Sequence, residues 1–265
     1  MDAEYRVARS YIETVRPAGR MLLCGITGSH YYGFPAPDSD IDLKGIHAAP
    51  LELVLALDKP EPAVNAEGMC GGILCDYTSN EVEQALKLLL KGNGNMLERI
   101  YSPFQVFETR ELGELRALAP CYLSKRAFHH YKGFFMQVCD EHVKTGACRV
   151  KSLLYTYRTA LTGVHLLLTG EIVGDLPSLI SQYGFRLAED LIRIYGSTTE
   201  KKTLSPEDDA VHRAQWPVLL DQLTAAFASS CLPDEPKDPG ACSDWLVGLR
   251  LRGDDREKEQ NGHAR

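Results

Sequence analysis

The sequence lacks any run of eighteen or more apolar residues, so no stretch of it is expected to cross a membrane as a helix. Met1 leads straight into Asp2-Ala3-Glu4-Tyr5-Arg6-Val7, without the apolar core of a secretory signal, and a cytoplasmic location with no membrane partner is expected. CxxC pairs are missing too. The eight cysteines are scattered at 24, 70, 75, 121, 139, 148, 231 and 242, which argues for reduced thiols over a disulfide framework. Cys139, His142 and Cys148 come nearest to a zinc pattern, and no second close pair completes it. Positive charge is in deficit: a formal net charge of -7 excludes a protein that coats nucleic acid through a general basic surface.

The charge that is present is unevenly spread. Between 121 and 160, Lys125, Arg126, Lys132, Lys144, Arg149, Lys151 and Arg158 stand against only Asp140 and Glu141, so a local basic face able to meet phosphates is expected. The chain of 265 residues, 44% hydrophobic and 25% charged, is large enough for one substantial core or two smaller ones.

Tyr5, Val7, Ala8, Tyr11, Ile12 and Val15 recur at mostly helical spacing, which predicts an amphipathic helix ending before Pro17. Met21 to Thr27 is a short apolar run stopped by Gly28-Ser29, as in a strand buried on both faces. After the turn formers of 34–39, a second strand is expected at Asp40 to His47. A third follows at Gly72 to Thr78, beyond a loop rich in proline and glycine. Polar residues 79–83 then cap a helix through Leu90, ended by Gly92-Asn93-Gly94-Asn95, with Asn93, Asn95 and Glu98 in a polar loop that could line a cleft. From residue 111 the apolar spacing is helical, clearest over 123–145 and 151–169, with further helices expected near 184–196, 207–229 and 241–251. The expectation is thus an α+β fold: a small mixed β-sheet with flanking helices over 1–110, a helical domain over 111–252, and a disordered tail over 253–265.

Asp40 and Asp42 are two apart, so on a strand their side chains leave one face with Cα atoms roughly 6.5 Å apart. Two carboxylates at about 4 Å repel by about 4 kcal/mol at an effective dielectric near 20, which calls for a cation, a shared proton or open water. Oxygen ligands without clustered His or Cys favour Mg²⁺ or Mn²⁺. Asp76 lies in mid-strand among apolar neighbours, where a lone charge is costly without a partner, and it is the candidate third carboxylate. Upstream, Gly28-Ser29-His30-Tyr31-Tyr32-Gly33 follows a strand and can open a short helix whose amides face an anion.

Together, Gly28-Ser29-x-x-x-Gly33, Ser39-Asp40-x-Asp42-x-x-Gly45 and Asp76 resemble the signature of the DNA polymerase β nucleotidyltransferase superfamily. Gly28 to Phe34 and Leu90 to Glu98 are most similar to its RNA-ligase-associated, or RNA repair pathway, branch. The resemblance implies transfer of a nucleoside monophosphate from an NTP to a hydroxyl, at an RNA 3′ end, with release of pyrophosphate. It assigns Asp40, Asp42 and Asp76 to catalysis on two Mg²⁺ or Mn²⁺ ions. Gly28, Ser29 and Ser39 are assigned to the nucleotide, joined by Lys132, Lys151 and Arg158 from the basic helices; Tyr155 and Tyr157 could stack a base or fill the core. Two alternatives stand beside this reading: an enzyme of the same chemistry that adenylylates a protein, and an inactive member that binds nucleotide only.

Overall fold

The structure, a computed structural model, describes residues 2–15 and 19–262, with side chains through Arg252. Helix α1 (Asp2–Ile12) leads to strand β1 (Arg20–Ile26), the single-turn α2 (Gly28–Tyr31), β2 (Ile41–Ala48), the short α3 (Leu51–Leu55), β3 (Ala63–Cys70) and β4 (Ile73–Glu81). Helices α4 (Val82–Leu90) and α5 (Gly94–Tyr101) precede the last strand, β5 (Gln105–Glu108). The rest is helical: α6 (Arg110–Ala117), α7 (Ala119–Tyr122), α8 (Ala127–Thr145), α9 (Val150–Thr169), α10 (Leu176–Tyr183), α11 (Ala188–Gly196), α12 (Pro206–Arg213), α13 (Trp216–Ser229) and α14 (Pro239–Gly262). Of the disordered tail expected over 253–265, residues through Gly262 continue α14, and 263–265 lie outside the described residues.

The five strands form one mixed sheet in the order β3-β4-β2-β1-β5, with β2 and β4 parallel and the other pairs antiparallel. This is the α+β arrangement expected, with additions. The segment 48–71, expected as a loop, contains α3 and β3, and β3 folds back on β4 through Gly71-Gly72. Both glycines have positive φ, +58° and +83°, the backbone that a two-residue hairpin between right-twisted strands requires. The polar loop expected after α4 is instead α5: the Asn93 side chain caps it by accepting from the Met96 amide at 3.1 Å, so Asn95 and Glu98 are helical residues.

Pleating gives the two faces of the sheet different work. Ile41, Leu43, Cys75 and Tyr77 pack with Ala8 and Tyr11 of α1, closing one face. A second cluster runs from Leu22 and Ile46 through α4 and α5 to Tyr131 on α8, Val164 on α9, Leu223 on α13 and Leu249 on α14. Shared core therefore bridges the division expected near residue 110. Helix α9 is buried nearly all round and forms the axis of the helical part, as its apolar composition demands. The chain's end returns to the sheet at Arg250, whose guanidinium binds Glu81 at 2.5 Å and the Ala49 carbonyl at 2.9 Å. No described helix is long and apolar enough to cross a membrane.

Candidate active site

Alternation along β2 turns Asp42 and Lys44 away from the α1 core, to the face opposite Ile41 and Leu43. Because β4 runs parallel in register, Asp76 lies directly beside Asp42, and Thr78 beside Lys44. Asp42 and Asp76 thus share one face; Asp40 stands one residue ahead of β2, which starts at Ile41 and not at Asp40 as expected, and reaches Asp42 through its charge. Burial pushes the Asp42 carboxyl above the ordinary range; the Lys44 ammonium opposes this, while the Asp40 and Asp76 charges add to it. Lys44 sits between the two strands, its Nζ 2.7 Å from Asp76 Oδ2 and 3.4 Å from Asp42 Oδ1. Among the described residues, no group of three or more His, Cys, Asp and Glu is arranged to hold a metal ion. All eight cysteines are free, and His142 of the weak zinc pattern is engaged by Ser152 at 2.5 Å and Asp209 at 2.6 Å.

The turn between β1 and α2 lies against this face. The Thr27 amide donates to the Asp42 carbonyl at 2.8 Å, and Gly28 follows with φ +64°. A Cβ on Gly28 would fall 1.9 Å from Asp42 Oδ2, so only glycine lets the turn sit flush with the carboxylate. Gly28→Ala should force Asp42 out of position, cutting activity by about 10²-fold while costing about 1–2 kcal/mol for the left-handed alanine. Paired turnover and melting measurements check this; full activity would separate the turn from the site. Thr27 gives α2 no side-chain cap, leaving its leading amides available to an anion.

Beside Gly28 and Asp42 opens a cleft of about 200 Å³, walled by Tyr32, Asn95, Glu98, Phe134, Tyr155 and Arg158. Its floor is a buried polar network. Arg158 donates to Glu98 Oε1 at 2.8 Å and to the Tyr32 hydroxyl at 2.8 Å; Tyr32 and Tyr131 also donate to Glu98, at 2.9 and 3.3 Å. The guanidinium lies 3.8 Å from the Tyr32 ring centre and 5.5 Å from those of Phe134 and Tyr155. Burial alone would lower the Arg158 pKa, and the Glu98 carboxylate with the surrounding tyrosines more than reverses this. Arg158 Nε, also buried, has no hydrogen-bond partner among the described residues.

Gly28, Asp42 and Arg158 line the cleft, Tyr155 is in its wall, and Asp76 joins through Lys44. Ser29 is buried within α2. Ser39 and Lys151 meet elsewhere, on Glu200: the Ser39 hydroxyl accepts from the Ala36 amide at 3.0 Å and donates to Glu200 at 2.9 Å, and Lys151 binds the other Glu200 oxygen at 2.6 Å. The Glu200 amide in turn donates to Asp38 at 2.9 Å, which ties this knot to the turn ahead of Asp40. Lys132 is exposed on α8, 5.4 Å from the Phe128 ring centre, and Tyr157 is buried against His212. Of the basic stretch, Lys125, Arg126, Lys151 and Arg158 are engaged by Asp234, Glu235, Glu200 and Glu98, so the local positive face is weaker than the sequence count suggests. Lys44 and Glu200 do not stand out in the sequence reading. Lys44 nonetheless carries a usable signal, since it stands two residues beyond Asp42 on the same strand.

An acidic pair on neighbouring parallel strands thus stands against a Gly-Ser turn, within the region that a known family matches. The chain belongs to the RNA repair pathway DNA polymerase beta family, RlaP, whose model matches residues 4–240. It is 30% identical over 229 residues to the uncharacterized protein MJ0002 of Methanocaldococcus jannaschii, covering 80% of this chain and 87% of that one. A solved nucleotidyltransferase-like protein from Exiguobacterium sibiricum 255-15 aligns over 83% of this chain and 74% of its own, with 13% identity and a TM-score of 0.34.

Proposed function

We propose that this chain transfers a nucleoside monophosphate from an NTP to the 3′ hydroxyl of an RNA, releasing pyrophosphate. The reading rests above all on the register that sets Asp42 beside Asp76, next to the Gly28 turn. The acceptor oxygen attacks the α-phosphorus, the bond to the bridging oxygen breaks, and Asp76 is assigned the proton that the hydroxyl releases. Gly28 and Ser29 amides are assigned to the triphosphate, and Tyr155 and Phe134 to one face of the nucleoside. Ser39 and Lys151 act through Glu200 to hold the turn that carries Asp40, and the exposed Lys132 is left for acceptor phosphates. Asp40 and Asp42, hard oxygen donors that crowd one another, suit Mg²⁺ or Mn²⁺. Such an ion, when bound, neutralises phosphate charge and lowers the pKa of the attacking hydroxyl. The RNA acceptor is supported by the family to which the chain belongs.

The test is incubation with each α-labelled NTP and Mg²⁺ or Mn²⁺, with pools of RNA, DNA and cell protein offered separately. Label at RNA 3′ ends is expected. Label on protein would move the assignment to protein adenylylation, and label nowhere would leave nucleotide binding alone.

A further inference from the structure

Lys44 has no role in the transfer scheme, yet it occupies the space that the scheme needs. An ammonium carries three N–H donors. Three oxygens surround this one: Asp76 Oδ2 at 2.7 Å, Asp42 Oδ1 at 3.4 Å and Thr78 Oγ1 at 3.4 Å. The Thr78 hydroxyl donates to Asn65 Oδ1 at 2.9 Å, which leaves its lone pairs for Lys44. The Lys44 side chain is 20% exposed, so this is no surface pair on a free tether. Neighbouring strands fix it: Lys44 and Asp42 project from β2, and Asp76 and Thr78 stand in register on β4.

This shell is the kind a small cation would take. A divalent ion bridging Asp42 and Asp76 would require oxygens at about 2.0–2.2 Å and removal of the ammonium between them. We propose that Lys44 is a built-in cation that replaces one of the two divalent ions, so that the loaded site holds a single Mg²⁺ or Mn²⁺ at Asp40 and Asp42. One such ion and one ammonium neutralise the three carboxylates. Asp76 is then oriented by Lys44 without coordinating a metal, and its Oδ2 stays fixed beside β2 whether or not an ion is present. The inference rests on the metal-dependent transfer proposed for this site, and it sets the count of ions and the place of Asp76 within it.

The decisive experiment is equilibrium dialysis of Mn²⁺ against the full chain with one equivalent of an NTP whose α,β-bridging oxygen is replaced by methylene, run alongside RNA-end transfer with the natural NTP. Wild type should bind about one Mn²⁺ per chain, and Lys44→Met about two, as Asp76 is freed to coordinate. Lys44→Arg, which keeps the charge, should stay near one. The wild-type count decides the matter even if Lys44→Met folds poorly. About two ions on wild type, with transfer intact, would overturn the role of Lys44 and leave the activity standing. No bound Mn²⁺, with transfer indifferent to chelator, would overturn both.

Discussion

Asp42→Ala is expected to lose nucleotidyl transfer by about three orders of magnitude or more while folding as well as wild type. The asymmetry follows from the carboxylate's surroundings. Asp42 is desolvated beside Gly28 and repelled by Asp40 and Asp76, and its contact with Lys44 at 3.4 Å is the looser of the two that the ammonium makes. Removing the charge therefore relieves about as much as it forfeits, whereas the ion proposed at Asp40 and Asp42 would lose one of its two carboxylate ligands. The raised Asp42 carboxyl also carries a pH signature. A carboxyl whose folded pKa is raised contributes stability that is complete below its unfolded value and is lost as pH climbs through the folded value. Wild type should thus lose a little stability as pH rises from the ordinary carboxylate value of 3.8 through the elevated Asp42 range, and Asp42→Ala should lack that step. Thermal melts at several pH values, paired with the labelled-NTP assay, check both statements. Near-wild-type turnover would remove Asp42 from the site, and an unfolded variant would make it structural.

Arg158→Ala should be the most damaging single substitution to the fold among the site residues, at about 3–5 kcal/mol, because it strands the Glu98 carboxylate in a buried place. In a chain of this size that is a fall in Tm on the order of 10 °C. Glu98 would keep only the Tyr32 and Tyr131 hydroxyls as partners, and the Tyr32 ring would lose the guanidinium lying over it. Adding Glu98→Gln to Arg158→Met should cost less than the two single changes summed, since the uncompensated charge is then absent. Nucleotide affinity should fall as well, because Arg158 forms part of the cleft wall and its Nε lacks a partner among the described residues. Calorimetry of the two single variants and the double variant, with KM for each active one, tests the pair. A raised KM at unchanged Tm would contradict a structural role for Arg158.

The sheet half of the chain is largely legible in the sequence because its signals are local. The apolar run before Gly28 marks β1, and a charge in the middle of an apolar run marks Asp76 on β4 beside Asp42; the strand expected from Asp40 starts at Ile41, so the two-residue spacing overstates how Asp40 shares its face. Strand β3 escapes such a reading although Gly71-Gly72 between alternating residues is a hairpin signal; prolines upstream make the whole segment look like loop. Helix α5 escapes it because Asn93, a plausible terminator of α4, is also the N-cap of α5. The knot at Glu200 and the Arg158–Glu98 pair join residues far apart in sequence, and no spacing rule connects them. That is also why the basic stretch misleads: the anions that neutralise Lys125, Arg126 and Lys151 are carried by segments beyond residue 199.

The proposed chemistry turns on whether the acidic face of β2 and the Gly28 turn hold the same nucleotide and ion. Anomalous diffraction from crystals grown with Mn²⁺ and the α,β-methylene NTP measures this directly. Mn²⁺ should lie about 2.0–2.2 Å from oxygens of Asp40 and Asp42, with triphosphate oxygens against the Gly28 and Ser29 amides. Nucleotide bound away from this face, or Mn²⁺ that avoids Asp42, would contradict it.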